Sequence, residues 1–299
     1  LALTPASIRC GWCGAAVGGG VERRRGRARC SECGAWTIDP IPAESELERA
    51  YGGWYRPISG RFAGLGDAVL RRLRRRLAGR LDRISPAGQI LDVGAGDGAL
   101  LDALRARGRE AVGIERRASH PAMREGEIGE LDGGWAAVVF WHSLEHLPQA
   151  GAALDRAAAL LAPGGVLAIA IPNPASVQAT VFGDSWFALD FPRHLVHIPA
   201  PVLLARLGDL GLSIERVSYL RGGQVVFGWL HGWIGCLPGH PDLYDAIRQP
   251  EARRRPISAA ARVCALAGAV LLLPVAAACA VMEGLLDRGG SVYVEARRV

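Results

Sequence analysis

The sequence predicts an α/β fold built on a mainly parallel sheet with helices on both faces. Three observations predict it. From residue 89 onward, short apolar runs alternate with helix-length segments. One run, Ile90-Leu91-Asp92-Val93, passes directly into the glycine-rich turn Gly94-Ala95-Gly96-Asp97-Gly98 and then into a helix. Finally, 299 residues that are 50% hydrophobic and 21% charged can bury a sizeable core, which excludes a disordered chain.

Residues 1–40 read as a small module of their own. Cys10, Cys13, Cys30 and Cys33 form two C-x-x-C pairs separated by sixteen residues. That spacing fits a four-thiolate structural Zn2+ site, a zinc ribbon. Gly14 and Gly34 follow the two pairs and permit the tight turns that aim backbone amides at the sulfurs. Such a module has almost no core, so the metal supplies its folding energy. Cys236, Cys264 and Cys279 lie scattered in apolar surroundings. The odd total argues against a secreted disulfide framework and for a reducing compartment. The opening LALTPASIRC is too short and lacks the basic start of a signal peptide, so a cytoplasmic location is expected.

The formal charge is +6, from 35 basic and 29 acidic residues, and every basic residue is Arg. The absence of Lys fits a biased genome better than a nucleic-acid surface, where Lys and Arg usually mix. The mean hydropathy of +0.16 is high for a freely soluble enzyme and directs attention to membrane-seeking stretches.

Residues 41–88 read as a linker and a basic amphipathic helix. Asp39-Pro40-Ile41-Pro42 closes the first module, and an acidic helix over 43–50 leads to Tyr51-Gly52-Gly53-Trp54-Tyr55. Over 62–84, Leu65, Val69, Leu73, Leu77, Leu81 and Ile84 share one helical face, while Arg71, Arg72, Arg74, Arg75, Arg76 and Arg80 take the other. The expected arrangement is a helix covering the sheet with a solvated Arg face; contact with anionic lipid is the alternative.

Residues 89–221 carry the sheet. Strands are expected at 89–93, 110–114, 135–140, 165–171 and 214–220, and helices at 97–107, 150–162 and 200–210. In the glycine turn, Gly94 and Gly96 let the backbone approach a ligand, because a side chain there would take the ligand's space. Glu115 closes the next strand, roughly 20 residues past the glycines, where a ribose-binding carboxylate sits in dinucleotide folds. A nicotinamide or flavin site requires G-x-G-x-x-G and a phosphate-binding helix N-terminus. Here the loop reads G-x-G-x-G behind Asp92, a carboxylate that repels phosphate and suits an ammonium group.

With these residues the sequence resembles the class I S-adenosylmethionine-dependent methyltransferases, whose first motif has this acid-x-G-x-G-x-G form. The resemblance implies S-adenosyl-L-methionine as cofactor on a Rossmann-like, seven-stranded sheet. By it, Asp92 and the Gly94, Ala95, Gly96 and Gly98 loop flank the methionine part. Glu115 takes both ribose hydroxyls, Glu127 and Ile128 border the adenine, and Trp141 lines the same site. Further along, Phe140-Trp141-His142-Ser143-Leu144-Glu145-His146-Leu147-Pro148 resembles the family's "LEH" segment, and Leu161-Ala162-Pro163-Gly164-Gly165 its turn before the fifth strand. Ser185-Trp186-Phe187 with Phe191-Pro192-Arg193-His194-Leu195 is similar to a W…PRHL signature of a bacterial subgroup, many members of which begin with a zinc ribbon. Ala136 departs from the family, which often has Asp at the start of the fourth strand.

Methyl transfer from a sulfonium is an in-line displacement, so the protein must align the acceptor and remove its proton. Histidine suits the second task near pH 7. His194 is the first choice as base, followed by His142, with His146, His197 and Glu145 nearby in sequence or pattern. His142-x-x-Glu145-His146 resembles the E-x-x-E-H segment of ubiquinone-pathway O-methyltransferases, with His142 in place of the first Glu. That change disfavours a magnesium-type all-oxygen site. No N/D-P-P-Y follows the fourth strand and no Pro-Cys pair is well placed, which sets aside amino-methylating and covalent cytosine chemistries.

Residues 222–290 break the alternation as a hydrophobic helical insertion, and 291–299 hold the last core strand, Ser291–Ala296. Residues 263–282 contain twenty uncharged positions, about 30 Å of helix, preceded by Arg253-Arg254-Arg255 and Arg262. In the resembled fold the last strand returns antiparallel to the same sheet, so one crossing would strand it across the membrane. A surface-lying or re-entrant hairpin avoids this, with 225–237 as the other arm; the alternative is a soluble helical cap. The expected function is methyl transfer to a small-molecule or lipid-linked acceptor at the inner face of the cell membrane. The alternatives are an RNA methyltransferase that binds nucleic acid through the ribbon and a non-catalytic cofactor-binding scaffold.

Overall fold

The computed structural model describes residues 8–18, 20–52, 60–62, 66–220 and 224–299. Residues 1–7, and Gly53, Trp54, Tyr55 and Leu65 of the segments above, lie outside the described residues.

Two short antiparallel ladders open the chain. β1 (Ile8–Arg9) pairs with β2 (Ala16–Val17), while β3 (Arg23–Arg24), β4 (Arg27–Arg29) and β5 (Trp36–Ile38) form a meander. Helices α1 (Glu44–Ala50) and α2 (Gly66–Ile84) lead into the sheet. There follow β6 (Ile90–Val93), α3 (Ala99–Arg105), β7 (Ala111–Glu115), β8 (Met123–Glu125) and β9 (Trp135–Trp141). Next come α4 (Ala150–Leu160), β10 (Leu161–Pro172), α5 (Val177–Phe182), β11 (Val196–His197), α6 (Ala200–Asp209) and β12 (Leu212–Ser218). The insertion holds α7 (Gln224–Gly235), α8 (Leu243–Ile247) and α9 (Ala259–Leu285), and β13 (Ser291–Arg298) closes the described chain.

The seven-stranded sheet runs in the order β12-β13-β10-β9-β6-β7-β8, and β13 is antiparallel to both neighbours while the other pairs are parallel. Alternation along the central strands feeds two cores. Leu91, Val93, Val138, Phe140, Leu167 and Ile169 face α4 and α6 through Leu154, Leu160, Leu203 and Leu207. Ile90, Ala137, Val139, Val166, Ala168 and Ala170 face α2 and α3 through Leu77, Leu81, Leu101 and Leu104. Because both faces are covered, these strands read as continuous apolar runs rather than a polar-apolar alternation. Each fully buried Leu contributes about 1.5–3 kcal/mol relative to exposure. The chain progresses outward in both directions from β6, so the carboxyl end of β6 is the switch point at which such sheets bind ligands.

The expected strands and helices are present, with shifts that have physical reasons. The fourth helix stops at Leu160 because Leu161 is already extended (φ −63°, ψ 139°) and begins β10. The edge strand β12 begins two residues earlier than expected; Ile214 and Val217 are both 38% exposed there, so their apolar character did not mark the pairing face. β8, three residues long at the opposite edge, was not expected. Nor is the Arg face of α2 wholly solvated. Arg80 forms a two-bonded ion pair with Glu295, which is fully buried and also accepts from the Tyr293 hydroxyl. Arg74 reaches over the ring of Trp141, with 5.2 Å from its guanidinium carbon to the ring centre. On the expected apolar face, Val69 is exposed.

The insertion is a helical layer in which the two expected arms pack side by side. Helix α7 buries Val225, Trp229, Leu230 and Ile234 against Ala265, Ala276 and Ala280 of α9. The Trp229 indole donates to the buried Glu283 carboxylate at 3.0 Å. Glu283 also accepts from the Gln178 backbone and side chain, which clasps the end of α9 to α5 and α7. The 27-residue α9 is long and apolar enough to span a membrane, with a mean hydropathy of 2.4 over its best window. Both of its ends are bonded to the same body: Arg262 donates to the Ala246 carbonyl, and Glu283 makes the clasp. It therefore lies along the surface. Its outward stripe is apolar, with Val263, Val270, Leu271, Met282 and Leu285 all more than half exposed.

Candidate active site

The turn after β6 is built from three glycines at positive φ: Gly94 (+75°), Gly96 (+67°) and Gly98 (+75°). A Cβ on Gly94 would fall 2.5 Å from that of Ser143, and one on Gly98 would fall 2.7 Å from the His120 ring. Both space and backbone conformation thus demand glycine here. The Gly96 N–H donates to Glu115 Oε2 at 2.8 Å, so the carboxylate at the end of β7 stands against the turn. Asp92 is buried, and with Gly94, Ala95, Gly96, Leu100 and Trp141 it lines a narrow cleft of about 40 Å³.

Arg61 and Arg74, which sequence reasoning did not assign to the site, line the same cleft. Arg61 bridges to Asp97 at 3.1 Å across it. Ligand pockets usually measure roughly 300 Å³ or more, and the side chains of Arg61 and Arg74 narrow this one. The donor set fits an adenosyl amino acid: glycine backbone for close approach, Glu115 for hydroxyls, Asp92 for an ammonium group and two guanidinium groups for a carboxylate. Glu127 is exposed and caps the 3-10 turn 128–130, while Ile128 packs into the core beside Leu91 and Val93. Neither they nor Gly98 line the cleft.

Beyond Trp141 the chain turns at His142, a non-glycine residue at φ +54°, and brings the candidate catalytic residues together. Glu145 is 2% exposed, and neither of its carboxylate oxygens has a hydrogen-bond partner among the described residues. His142 Nδ1 lies 3.6 Å and His194 Nε2 3.9 Å from Glu145 Oε1, and His194 Nε2 is 3.6 Å from Asp190 Oδ2. The His146 and His194 rings meet edge-on at 4.7 Å. Burial would raise the Glu145 carboxyl, yet the surrounding imidazoles of His142, His146 and His194 hold it below the ordinary carboxylate range. Asp190 is likewise raised by burial but held low by His194 and Arg193.

Carbonyl partners assign the protons, because a carbonyl oxygen only accepts. His194 Nδ1 donates to the Ala188 carbonyl at 2.8 Å, which leaves Nε2 as the ring nitrogen beside the two carboxylates. His146 Nδ1 donates to the Arg193 carbonyl at 2.9 Å, with the Tyr51 hydroxyl oxygen at the same distance. Burial, reinforced by repulsion from His194, pushes His146 down to about 4. His197 Nε2 donates to the Leu189 carbonyl, and burial pushes the imidazole down to about 3. Glu145, His146 and His194 also offer ligand atoms within 4.8 Å of one another, a set able to hold a metal ion.

The four N-terminal cysteines converge. Cys10 and Cys33 sulfurs are 3.6 Å apart, as are those of Cys13 and Cys30, and all four lie within 4.8 Å of one another. Zn–S bonds of about 2.3 Å in a tetrahedron place sulfurs about 3.8 Å apart, so the residues fit zinc. The two knuckles are near copies: Gly14 (φ +77°) and Gly34 (φ +76°) each donate to the carbonyl of the first cysteine of the pair at 2.9 Å.

Residues 67–217 match a family model described as a methyltransferase domain. The ubiquinone biosynthesis O-methyltransferase of Xanthomonas axonopodis pv. citri (strain 306) is 30% identical over 161 residues, covering 46% of this chain and 67% of that one. The enzyme of the same name from Xanthomonas campestris pv. campestris (strain B100) is 27% identical over 168 residues, covering 46% and 70%. Among solved structures, the [4+2]-cyclase SpnF aligns at a TM-score of 0.47 with 19% identity, covering 85% of this chain and 91% of that one. The cysteine module and α7, α8, α9 and β13 lie outside the span of the family match.

Proposed function

The chain belongs to the methyltransferase-domain family and is an S-adenosylmethionine-dependent methyltransferase, and from that premise we propose that it methylates an oxygen of a small or lipid-linked acceptor with His194 as the base. The observation that carries this reading is the fixed orientation of His194. Its Nδ1–H is tied to the Ala188 carbonyl and its Nε2 stands beside Asp190 and Glu145. Nε2 takes the acceptor's hydroxyl proton, and the two carboxylates stabilise the resulting imidazolium. His142 links Glu145 to Trp141 at the cleft, and His146 supports His194 edge-on. When bound, the cofactor supplies an electrophilic methyl group on a sulfonium. Asp92, Gly94, Ala95, Gly96 and Gly98 receive its methionine end, with Arg61 and Arg74 at the carboxylate; Glu115 takes the ribose and Glu127 and Ile128 border the adenine. Cys10, Cys13, Cys30 and Cys33 hold a structural zinc ion, as in the zinc-ribbon subgroup that the W…PRHL signature resembles.

The acceptor's class is read from α9. An outward stripe of aliphatic residues on a surface-lying helix, entered through the exposed Arg254 and Arg255, suits the boundary between headgroups and acyl chains of an anionic bilayer. The stripe supports a location at the inner membrane face, where lipid-linked acceptors lie. A second reading, favoured by the close approach of Glu145, His146 and His194, has these three hold a divalent metal that polarises the acceptor hydroxyl.

The test is transfer of radiolabelled methyl into cell extract, partitioned into lipid, RNA, protein and small-molecule fractions. Label in the lipid or small-molecule fraction, lost in His194→Gln, is expected. Label in RNA contradicts the proposal. Loss of transfer after dialysis against a chelator, with the cysteine-bound zinc retained, replaces the base reading by the metal one.

A further inference from the structure

The ribbon is joined to the active site through backbone. Strand β5 carries β11 as the fourth strand of the ribbon meander, with Thr37 opposite Val196 and Trp36 opposite His197. Just before β11, the Leu195 carbonyl accepts from the Ile38 N–H at 2.9 Å, and the Leu195 N–H donates to the Glu145 carbonyl at 2.8 Å. Leu195, adjacent to His194, is thereby held between the ribbon and the segment that carries Glu145.

The first cysteine knuckle is wedged into the same place. The Gly11 N–H donates to Thr37 Oγ1 at 3.0 Å, and the Gly11 carbonyl accepts from the Gly151 N–H at 3.1 Å. A Cβ on Gly11 would fall 2.4 Å from a Val196 methyl and 2.7 Å from the Pro148 carbonyl oxygen. One on Gly151 would fall 1.8 Å from the Trp12 carbonyl oxygen. Cys10, Trp12 and Cys30 are buried in one cluster with Leu144, Leu195 and Val196. The knuckle touches both segments that bear the candidate catalytic residues, 142–148 and 190–197.

We infer that the four-cysteine site is a positioning device for the catalytic cluster. A metal held by Cys10, Cys13, Cys30 and Cys33 fixes the knuckle, and the knuckle with β5 clamps His194 against Glu145. The inference rests on the base reading of His194 only for its consequence in catalysis; the clamp itself is a property of the fold. A module whose strands are two or three residues long draws on its metal for folding energy. Without it, β5 cannot present an edge to β11, the bonds through Leu195 are lost, and His194 is released from its carboxylates. Gly11, Thr37, Ile38 and Leu195 are positioning residues.

The experiment compares the full chain with Cys13→Ala, Cys13→His and Thr37→Val. It measures bound zinc, hydrogen exchange over 190–198, cofactor affinity and the kcat and KM of methyl transfer. Cys13→Ala is expected to lose zinc and to speed exchange at Leu195 and His197 about tenfold or more, while β6, β9 and β10 stay protected. Its cofactor affinity is expected to change by less than about threefold, under the ~1.4 kcal/mol that a tenfold change represents, and its kcat falls by more than its acceptor KM rises. Cys13→His, which retains a Cys3His zinc site, restores wild-type exchange and kcat. Thr37→Val keeps zinc and removes the Gly11 bond, so exchange at 195–197 alone rises a few-fold. Zinc loss with exchange unchanged overturns the inference. If Cys13→Ala unfolds the whole chain, unchanged exchange in Thr37→Val overturns it. Altered exchange with methyl transfer unaffected supports the clamp and removes His194 as the base.

Discussion

Leu195 donates its backbone N–H to the Glu145 carbonyl at 2.8 Å. This one bond sets the PRHL segment beside the loop after β9, and so sets His194 Nε2 at 3.9 Å from a carboxylate oxygen with no hydrogen-bond partner among the described residues. The candidate catalytic cluster is assembled from two loops joined by this backbone bond. Its side chains need only hold their tautomers.

Stability is expected to fall as the solution is acidified. His146 and His197 are held neutral by burial, at about 4 and about 3. In the unfolded chain a histidine titrates near 6.5. Their contribution is therefore complete above about pH 6.5 and is lost as pH falls from there toward 4, because the unfolded state binds the protons. Between pH 7 and 5 the loss is about 2 kcal/mol per histidine at most. Glu145 and Asp190, held low, add a loss in the same direction below about pH 4. Urea unfolding at pH 7, 6 and 5 measures this, and His197→Gln flattens the slope. A stability that does not change over this range contradicts the burial of neutral imidazoles.

Gly94→Ala puts a methyl 2.5 Å from Ser143 on a backbone at φ +75°. The left-handed conformation alone costs roughly 1–2 kcal/mol for a non-glycine residue. The expected result is a fall in cofactor affinity of about tenfold or more by calorimetry, about 1.4 kcal/mol, with a modest loss of thermal stability.

Arg80→Ala removes the two-bonded guanidinium from the fully buried Glu295, while the Tyr293 hydroxyl bond stays. Removing one partner of such a pair costs about 3 kcal/mol, less to the extent that solvent reaches Arg80. The double substitution Arg80→Met with Glu295→Leu is expected to recover most of it in denaturant titrations.

Val270→Glu with Leu271→Glu places two charges on the outward stripe of α9, where the side chains are 73% and 78% exposed. Sedimentation with vesicles of phosphatidylglycerol and phosphatidylethanolamine should be lost while the melting temperature stays the same. Equal sedimentation of the variant would remove the membrane reading.

What the sequence disclosed was local and periodic. The turn from Ile90 to Gly98, the C-x-x-C pairs and the buried strands could be read because each signal spans a few consecutive residues. The antiparallel return of β13 followed from the resemblance once Ser291–Ala296 was its candidate. Trp36 and His197, by contrast, meet in a two-residue ladder between distant segments, which leaves no periodic mark. Arg74 lay among five other arginines, and a helical wheel cannot say which of them reaches over Trp141. Tyr51, bonded to His146, stood in a Gly-rich stretch that read only as a linker. The burial of α7 depends on Glu283, a carboxylate at the far end of another helix.

The most direct test is methyl transfer by His194→Gln beside the wild type, with cofactor affinity measured on both. The account predicts unchanged affinity and a rate lower by about 100-fold or more, the range associated with loss of a general base, with the residual rate rising with pH as the acceptor ionises unaided. Transfer by His194→Gln at the wild-type rate would contradict it.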